Sequence, residues 1–150
     1  MAASINDKLI KQGNGTQPIP TQLTAEKAIS ATTASLASAT GWDTTTAKHV
    51  RMYKTTVVNG QTVPNQSTLS FYKATLSGTT LSNLTLVWSA TGSDQKYDAG
   101  DTVDLAFTAG FNDDLYGALS AHLDQDGTLK AGAVDNAAVV ASGILTADRN

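Results

Sequence analysis

Hydrophobic and polar positions alternate in short bursts through the middle of the chain, with the period of two that marks half-buried strands. KHVRMYKTTVV (48–58) mixes β-branched and aromatic residues, and Asn59-Gly60 separates it from QTV. Asn-Gly predicts a two-residue hairpin, because both central positions of a type I′ turn need positive φ. Pro64-Asn65 ends that ribbon. TLSFYKATL (68–76) predicts the next strand, with a tight turn at Ser77-Gly78 before TLSNLTLVWSA (80–90). In this last segment Leu84, Leu86 and Trp88 alternate on one face with Val87 opposite, which places Trp88 in the core. A polar turn, TGSDQKYDAGD (91–101), leads to TVDLAF (102–107), where Val103, Leu105 and Phe107 share one face and Asp104 takes the other. Short strands punctuated by turn signals predict a mainly β fold, a small antiparallel β-barrel or sandwich over residues 22–110.

The ends read differently. After Gly110 the period lengthens: Leu115, Leu119 and Leu123, with Ala118 and His122, form one stripe at helical spacing. This predicts a short helix within 111–124, with Asn112 as its N-cap and Asp113 and Asp114 in the first turn, where the helix dipole favours anions. Residues 125–150 read as turn, small residues and extended chain. Residues 1–21 read as an extended arm, since GNG at 13–15 and PIP at 18–20 interrupt any regular element. Residues 22–40 are ambiguous. Their alanine content and Thr24 lean toward a capped helix, while Ile29, Ala31, Thr33 and Ser35 also fit a period of two.

Composition narrows the function classes. The chain has 150 residues, 41% hydrophobic, but much of that fraction is alanine. Large apolar side chains are sparse before Trp42 and after Leu129, so the ends cannot bury enough surface by themselves. A net charge of −3 argues against nucleic-acid binding. The absence of cysteine removes disulfides and thiolate metal sites. No apolar run approaches the length of a membrane span, and MAASINDKLIKQGNG lacks the apolar stretch of a signal peptide. The expected product is soluble and made in the cytoplasm.

Candidate chemistry is thin. His49 and His122 fall in different elements, so a metal site on either needs carboxylates supplied by the fold. Asp98, Asp101 and Asp104 have the composition of a glycosidase acid pair, but Asp98 and Asp101 flank Ala-Gly, where turn chemistry accounts for them. Asp124-Gln-Asp126-Gly127, with Asp135 at the twelfth place, has the start of a calcium loop, but its glycine is misplaced and Lys130 occupies a ligand position. Lys48, Arg51 and Lys54 read as a solvated strand face. GNG is not followed by the Lys-Ser/Thr of a phosphate loop. The expectation is a non-enzyme with no catalytic, cofactor or metal residues. Among the aromatics Trp42, Trp88, Tyr72, Tyr97 and Phe111, a core role is expected for most, and Trp42, after a turn glycine, is the candidate glycan contact.

Three stretches resemble the small β-domain that recurs in tail fibres and other tail-associated proteins of tailed bacteriophages. They are ISATTASLASATGW (29–42), STLSFYKATLSGTTLSNLTLVWSATGSDQKYDAGDTVDL (67–105) and TAGFNDDLYGAL (108–119), and they follow the family's order over about two-thirds of the chain. Trp88-Ser89 departs from the family's usual Thr-Arg, and KHVRMYKTTVVNGQTVP is longer than its usual hairpin. The resemblance moves residues 25–40 from helix to strand and loop. It implies a structural protein of the virion tail in which residues 1–21 attach to other tail proteins. The β-domain covers 22–110, and the helix at 111–124 and the segment 125–150 begin a homotrimeric fibre shaft. The alternatives are a receptor-binding module for host surface glycan and a head fibre or capsid-decoration protein.

Overall fold

The computed structural model describes residues 11–126 and Thr128. The main unit, Ile10–Asp113, is a strongly curled antiparallel sheet, and a second unit begins at Asp114. Its strands are β1 (Thr21–Gln22), β2 (Thr33–Ser35), β3 (Lys48–Tyr53), β6 (Ser70–Ser77), β7 (Thr80–Ser89) and β8 (Thr102–Leu105), in the order β1-β8-β3-β6-β7-β2. A separate ribbon pairs β4 (Thr55–Val58) with β5 (Gln61–Pro64), and among the described residues one α-helix, α1, spans Ala109–Ser120. The mainly β expectation holds, as one curled half-barrel rather than a two-sheet sandwich. Residues 25–40 contain strand and loop and no helix, as the family resemblance implied and the alanine content did not.

The curl carries the two edge strands toward each other. Leu23 and Leu36 form an antiparallel bridge: Thr24 N–H donates to Ser35 O at 2.9 Å, and Ala37 N–H donates to Gln22 O at 2.8 Å. Edge backbone is thereby satisfied at the point where a flat sheet would leave it open. Inside the curl lie Leu23, Leu36, Val50, Met52, Tyr72, Leu76, Leu81 and Val103, packed with Trp42 and Tyr97.

Two strands show how pattern becomes packing. Along β6 the alternation is regular, with Ser70, Tyr72, Ala74 and Leu76 buried and Phe71, Lys73 and Thr75 facing outward. Along β7 it is not, because β7 carries two extra residues. Thr75 faces Ser82 while Lys73 faces Thr85, so β7 advances three residues against two, at Asn83, whose φ is +55°. Tyr72 faces Leu86 while Phe71 faces Trp88, so Val87 is also extra. Each insertion inverts the phase of the residues after it. Leu84 therefore stays inside, and Trp88 turns out to the solvent face with 49% of its surface exposed. The expectation of a core Trp88 is corrected by that bulge. Phe107 likewise leaves the face predicted for it, because β8 ends at Leu105.

The Asn59-Gly60 hairpin forms as predicted, with φ of +50° and +77°. The helix begins three residues before its expected cap. Thr108, not Asn112, accepts the Phe111 N–H at 2.9 Å, so Thr108 is the N-cap and Asn112 lies within the first turn.

Residues 11–21, expected in a free arm, are built into the main unit. Gln12 donates through Nε2 to His49 O and Ala106 O, at 3.0 and 2.9 Å, and accepts the His49 N–H. Gly13 bridges Trp42, and Thr21 pairs with Val103. Gly41 makes this contact close: its φ is +81°, and a Cβ there would stand 2.5 Å from Gln17 O. Residues 1–10 and most of the predicted 125–150 segment lie outside the described residues.

Candidate interaction face

Most charged side chains of the main unit are occupied in holding it together. Lys27, 1% exposed, enters from the loop after β1. Its Nζ donates to Asp94 at 2.6 and 2.8 Å, to Gln95 O at 3.1 Å and to Tyr72 Oη at 3.2 Å, and it sits 4.7 Å from the Tyr72 ring centre. Asp94 also accepts the Ser30 N–H and the Tyr72 hydroxyl. Burial disfavours the Asp94 carboxylate, but the bonds from Lys27, Tyr72 and Ser30 outweigh it and hold its pKa below the ordinary value. Burial, followed by the bond to Asp94, pushes the Tyr72 phenol far up, so it stays a donor.

A second closed cluster surrounds Lys48. Lys48, expected on a solvated strand face, is fully buried, with Nζ donating to Asp43 at 3.1 Å, Thr46 Oγ1 at 2.8 Å, Ala47 O, and Lys11 O. Burial raises the Asp43 pKa, yet the hydrogen bonds from Thr45 and Lys48 prevail and bring it from 3.8 to about 2. Burial also lowers the Lys48 ammonium despite Asp43, so the pair as a whole contributes less than the carboxylate alone.

A carboxylate depressed in the fold stabilises fully above its unfolded pKa and loses that contribution as pH falls through the folded one. Asp43 therefore supports the fold above about pH 4, and its contribution, about 2 kcal/mol, disappears by about pH 2. Asp94 acts with the same sign. Urea midpoints measured from pH 5 to pH 2 should fall steeply through this window. A flat profile would mean that neither carboxylate is held ionised.

The remaining sequence candidates are dispersed. His49 is buried beneath the start of α1, with Nδ1 3.1 Å from the Thr108 hydroxyl and its ring edge-on to Phe111 at 5.8 Å. His122 is exposed and belongs to the second unit. Asp98 and Asp101 brace their turn, the Asp98 N–H donating to the Asp101 carboxylate at 2.7 Å, and both lie near Lys54 Nζ. Asp104 holds Arg51 across the β3–β8 pair. Asp126 accepts from the Thr128 N–H and hydroxyl, a polar turn, while Asp135 is outside the described residues. Among the described residues no cluster of three or more His, Asp or Glu side chains is arranged to hold a metal ion. Trp42 does not face solvent: it is 2% exposed and its Nε1–H donates to Ile19 O at 3.1 Å. Its burial overturns the expectation that it contacts glycan.

What the outer face of the sheet does expose is aromatic. Trp88 and Phe71 lie side by side across β6 and β7, ring centres 5.7 Å apart at 44°. Phe107, 82% exposed, stands edge-on to Phe111 at 5.2 Å. Between them runs a shallow groove of about 260 Å³, lined by Phe71, Val87, Trp88, Phe107, Thr108 and Gly110. Continuing the Trp88–Phe71 row across the sheet are Arg51 and Asp104. The signal for this face was in the sequence, as Val87-Trp88 and Phe107, but the bulge that turns Trp88 outward has no motif of its own.

No family model, no curated protein and no solved structure matches this chain.

Proposed function

We propose that this chain is a structural, non-enzymatic module of a tailed-phage virion, a tail fibre or fibre-attachment protein that assembles with copies of itself and with other tail proteins. The resemblance in residues 29–42, 67–105 and 108–119 motivates the virion setting, and a homotrimer is the assembly it implies. The observation that carries the assembly reading is the uncovered aromatic face of Phe71, Val87, Trp88 and Phe107. A β-bulge turns the largest of these residues toward solvent, in a chain otherwise able to bury Trp42 and Tyr97 fully. Exposed Tyr116 and Leu119 on α1 add to the apolar surface that a single copy leaves uncovered.

Immunogold labelling of intact particles that encode this chain tests the virion setting. Gold on the tail is the expected result, and gold-free particles beside labelled free protein would overturn it. The exposure of Trp88 also favours a second reading, in which a host sugar stacks on Trp88 and Phe71 beside the Arg51–Asp104 pair. Glycan-array binding abolished by Trp88→Ala would select that reading over assembly.

A further inference from the structure

Asn14-Gly15 is a self-modification site: we propose that the folded chain converts Asn14 to aspartate and isoaspartate there, and that the isoaspartate releases the strap of residues 11–14. The sequence holds two Asn-Gly dipeptides, Asn14-Gly15 and Asn59-Gly60, and all four residues are exposed. Such pairs are open to this chemistry because glycine puts no Cβ in the way of its own nitrogen. Water is the only co-reactant. The Gly15 nitrogen gives its proton to solvent and attacks Asn14 Cγ, forming an N–Cγ bond. The Cγ–Nδ2 bond breaks, and Nδ2 leaves as ammonia with a proton taken back from solvent. Water then opens the cyclic imide. Attack at Cγ gives aspartate, and attack at the backbone carbonyl gives isoaspartate, whose main chain runs through Cβ and Cγ.

Geometry decides which dipeptide reacts. Asn59 holds the first central position of the hairpin turn, with φ of +50°. A type I′ turn keeps ψ there at about +30°, which turns the next nitrogen nearly opposite Cβ. Bringing the Gly60 nitrogen onto Asn59 Cγ therefore means leaving the turn and breaking the Val58–Gln61 pair it closes. Asn14 follows the isolated bridge at Gly13 and is not held in a ladder. Its carboxamide folds over the Gly15 peptide, with Oδ1 accepting the Thr16 N–H at 3.0 Å. Gly15, at φ +96°, has no described atom within 4 Å of where a Cβ would stand. The Thr16 N–H also draws electron density from Cγ, and it donates to the oxygen that turns negative as the nitrogen adds.

The strap is pinned on both sides of this bond. Gly13 bridges Trp42, and Ile19 O accepts the Trp42 Nε1–H. An extra main-chain carbon between these points is accommodated by letting one of them go. On the Gly13 side the Asp43 N–H donates to Gln12 O at 2.7 Å, and this bond reports the release.

The test ages the full wild-type chain at mildly alkaline pH, folded and in urea, and follows both dipeptides by peptide mass mapping. In the folded chain Asn14 should convert at least about tenfold faster than Asn59, and in urea the two rates should converge. Equal rates in the folded chain, a faster Asn59, or an Asn14 that converts only in urea overturns the assignment. Hydrogen exchange on the separated isoaspartate form should show the Asp43 amide losing protection, with β3 and β6 amides unchanged. Asn14→Asp has the product's charge on a main chain of unchanged length, and it should keep the Asp43 amide protected. An isoaspartate form as protected at Asp43 as the fresh chain, or an Asn14→Asp variant as open as the isoaspartate form, overturns release by main-chain lengthening.

Discussion

Asp94→Ala should cost about 3–5 kcal/mol of unfolding free energy, the range for removing one partner of a buried ion pair. Lys27 has no side-chain exposure, so its ammonium would be left in the interior without a counter-ion. The Ser30 N–H and the Tyr72 hydroxyl would lose their acceptor in the same step. Asp94 keeps 18% exposure, and water entering there places the effect toward the lower end. Domains of this size have about 5–15 kcal/mol in total, so the variant should melt roughly 10 °C lower. The double variant Lys27→Met, Asp94→Leu removes both charges and should regain most of the loss. Urea unfolding of the three proteins measures this directly. A loss below about 1 kcal/mol in Asp94→Ala would mean that solvent already screens the pair.

Trp42→Ala should be comparably damaging, about 3–5 kcal/mol, because a buried indole leaves a cavity its neighbours cannot close. The indole also anchors Ile19 O, and its backbone bridges Gly13. Loss of the ring should therefore loosen residues 11–20 before the sheet. Hydrogen exchange would reveal this as faster exchange at Asn14, whose N–H is bonded to Gly41 O, with β3 and β6 amides still protected. Trp88→Ala should by contrast cost under about 1 kcal/mol in a dilute single copy, since half that side chain is already in water. The pair separates the two tryptophans by role. Equal costs would contradict the assignment of one to the core and the other to the surface.

Local chemistry made parts of this fold legible from sequence. Asn59-Gly60 specified a hairpin because few other dipeptides tolerate its backbone, and the regular alternation of β6 carried straight into packing. Three features escaped for identifiable reasons. The bulge at Val87 depends on how β7 registers against β6, and register is not written in one strand alone. The strap at residues 11–14 is held by Gln12 and main-chain bonds, which any polar sequence could supply. Lys27 and Lys48 look like surface residues until the partners that neutralise them, Asp94 and Asp43, are brought up by the fold.

These misses shaped the site more than the fold. Period-two counting set Trp88 inside, and the extra Val87 turned it outward, while Trp42, read as a surface aromatic after a turn glycine, is buried beside Gly13 and Ile19. The basic trio Lys48, Arg51 and Lys54 dissolved into three separate ion pairs, with Asp43, Asp104 and Asp98. What stayed open was apolar: the outer aromatic row and the uncharged ribbon. Both are surfaces suited to protein contact, at different places on one unit.

The decisive measurement is acrylamide quenching of Trp88 fluorescence in the full chain carrying Trp42→Phe, followed across concentration alongside solution mass. Neighbouring copies that cover the outer face should make Trp88 progressively harder to quench as the mass rises above 15.5 kDa. A Trp88 that remains as open to quencher at the highest concentration as at the lowest, in a chain that stays at 15.5 kDa, would contradict the assembly reading.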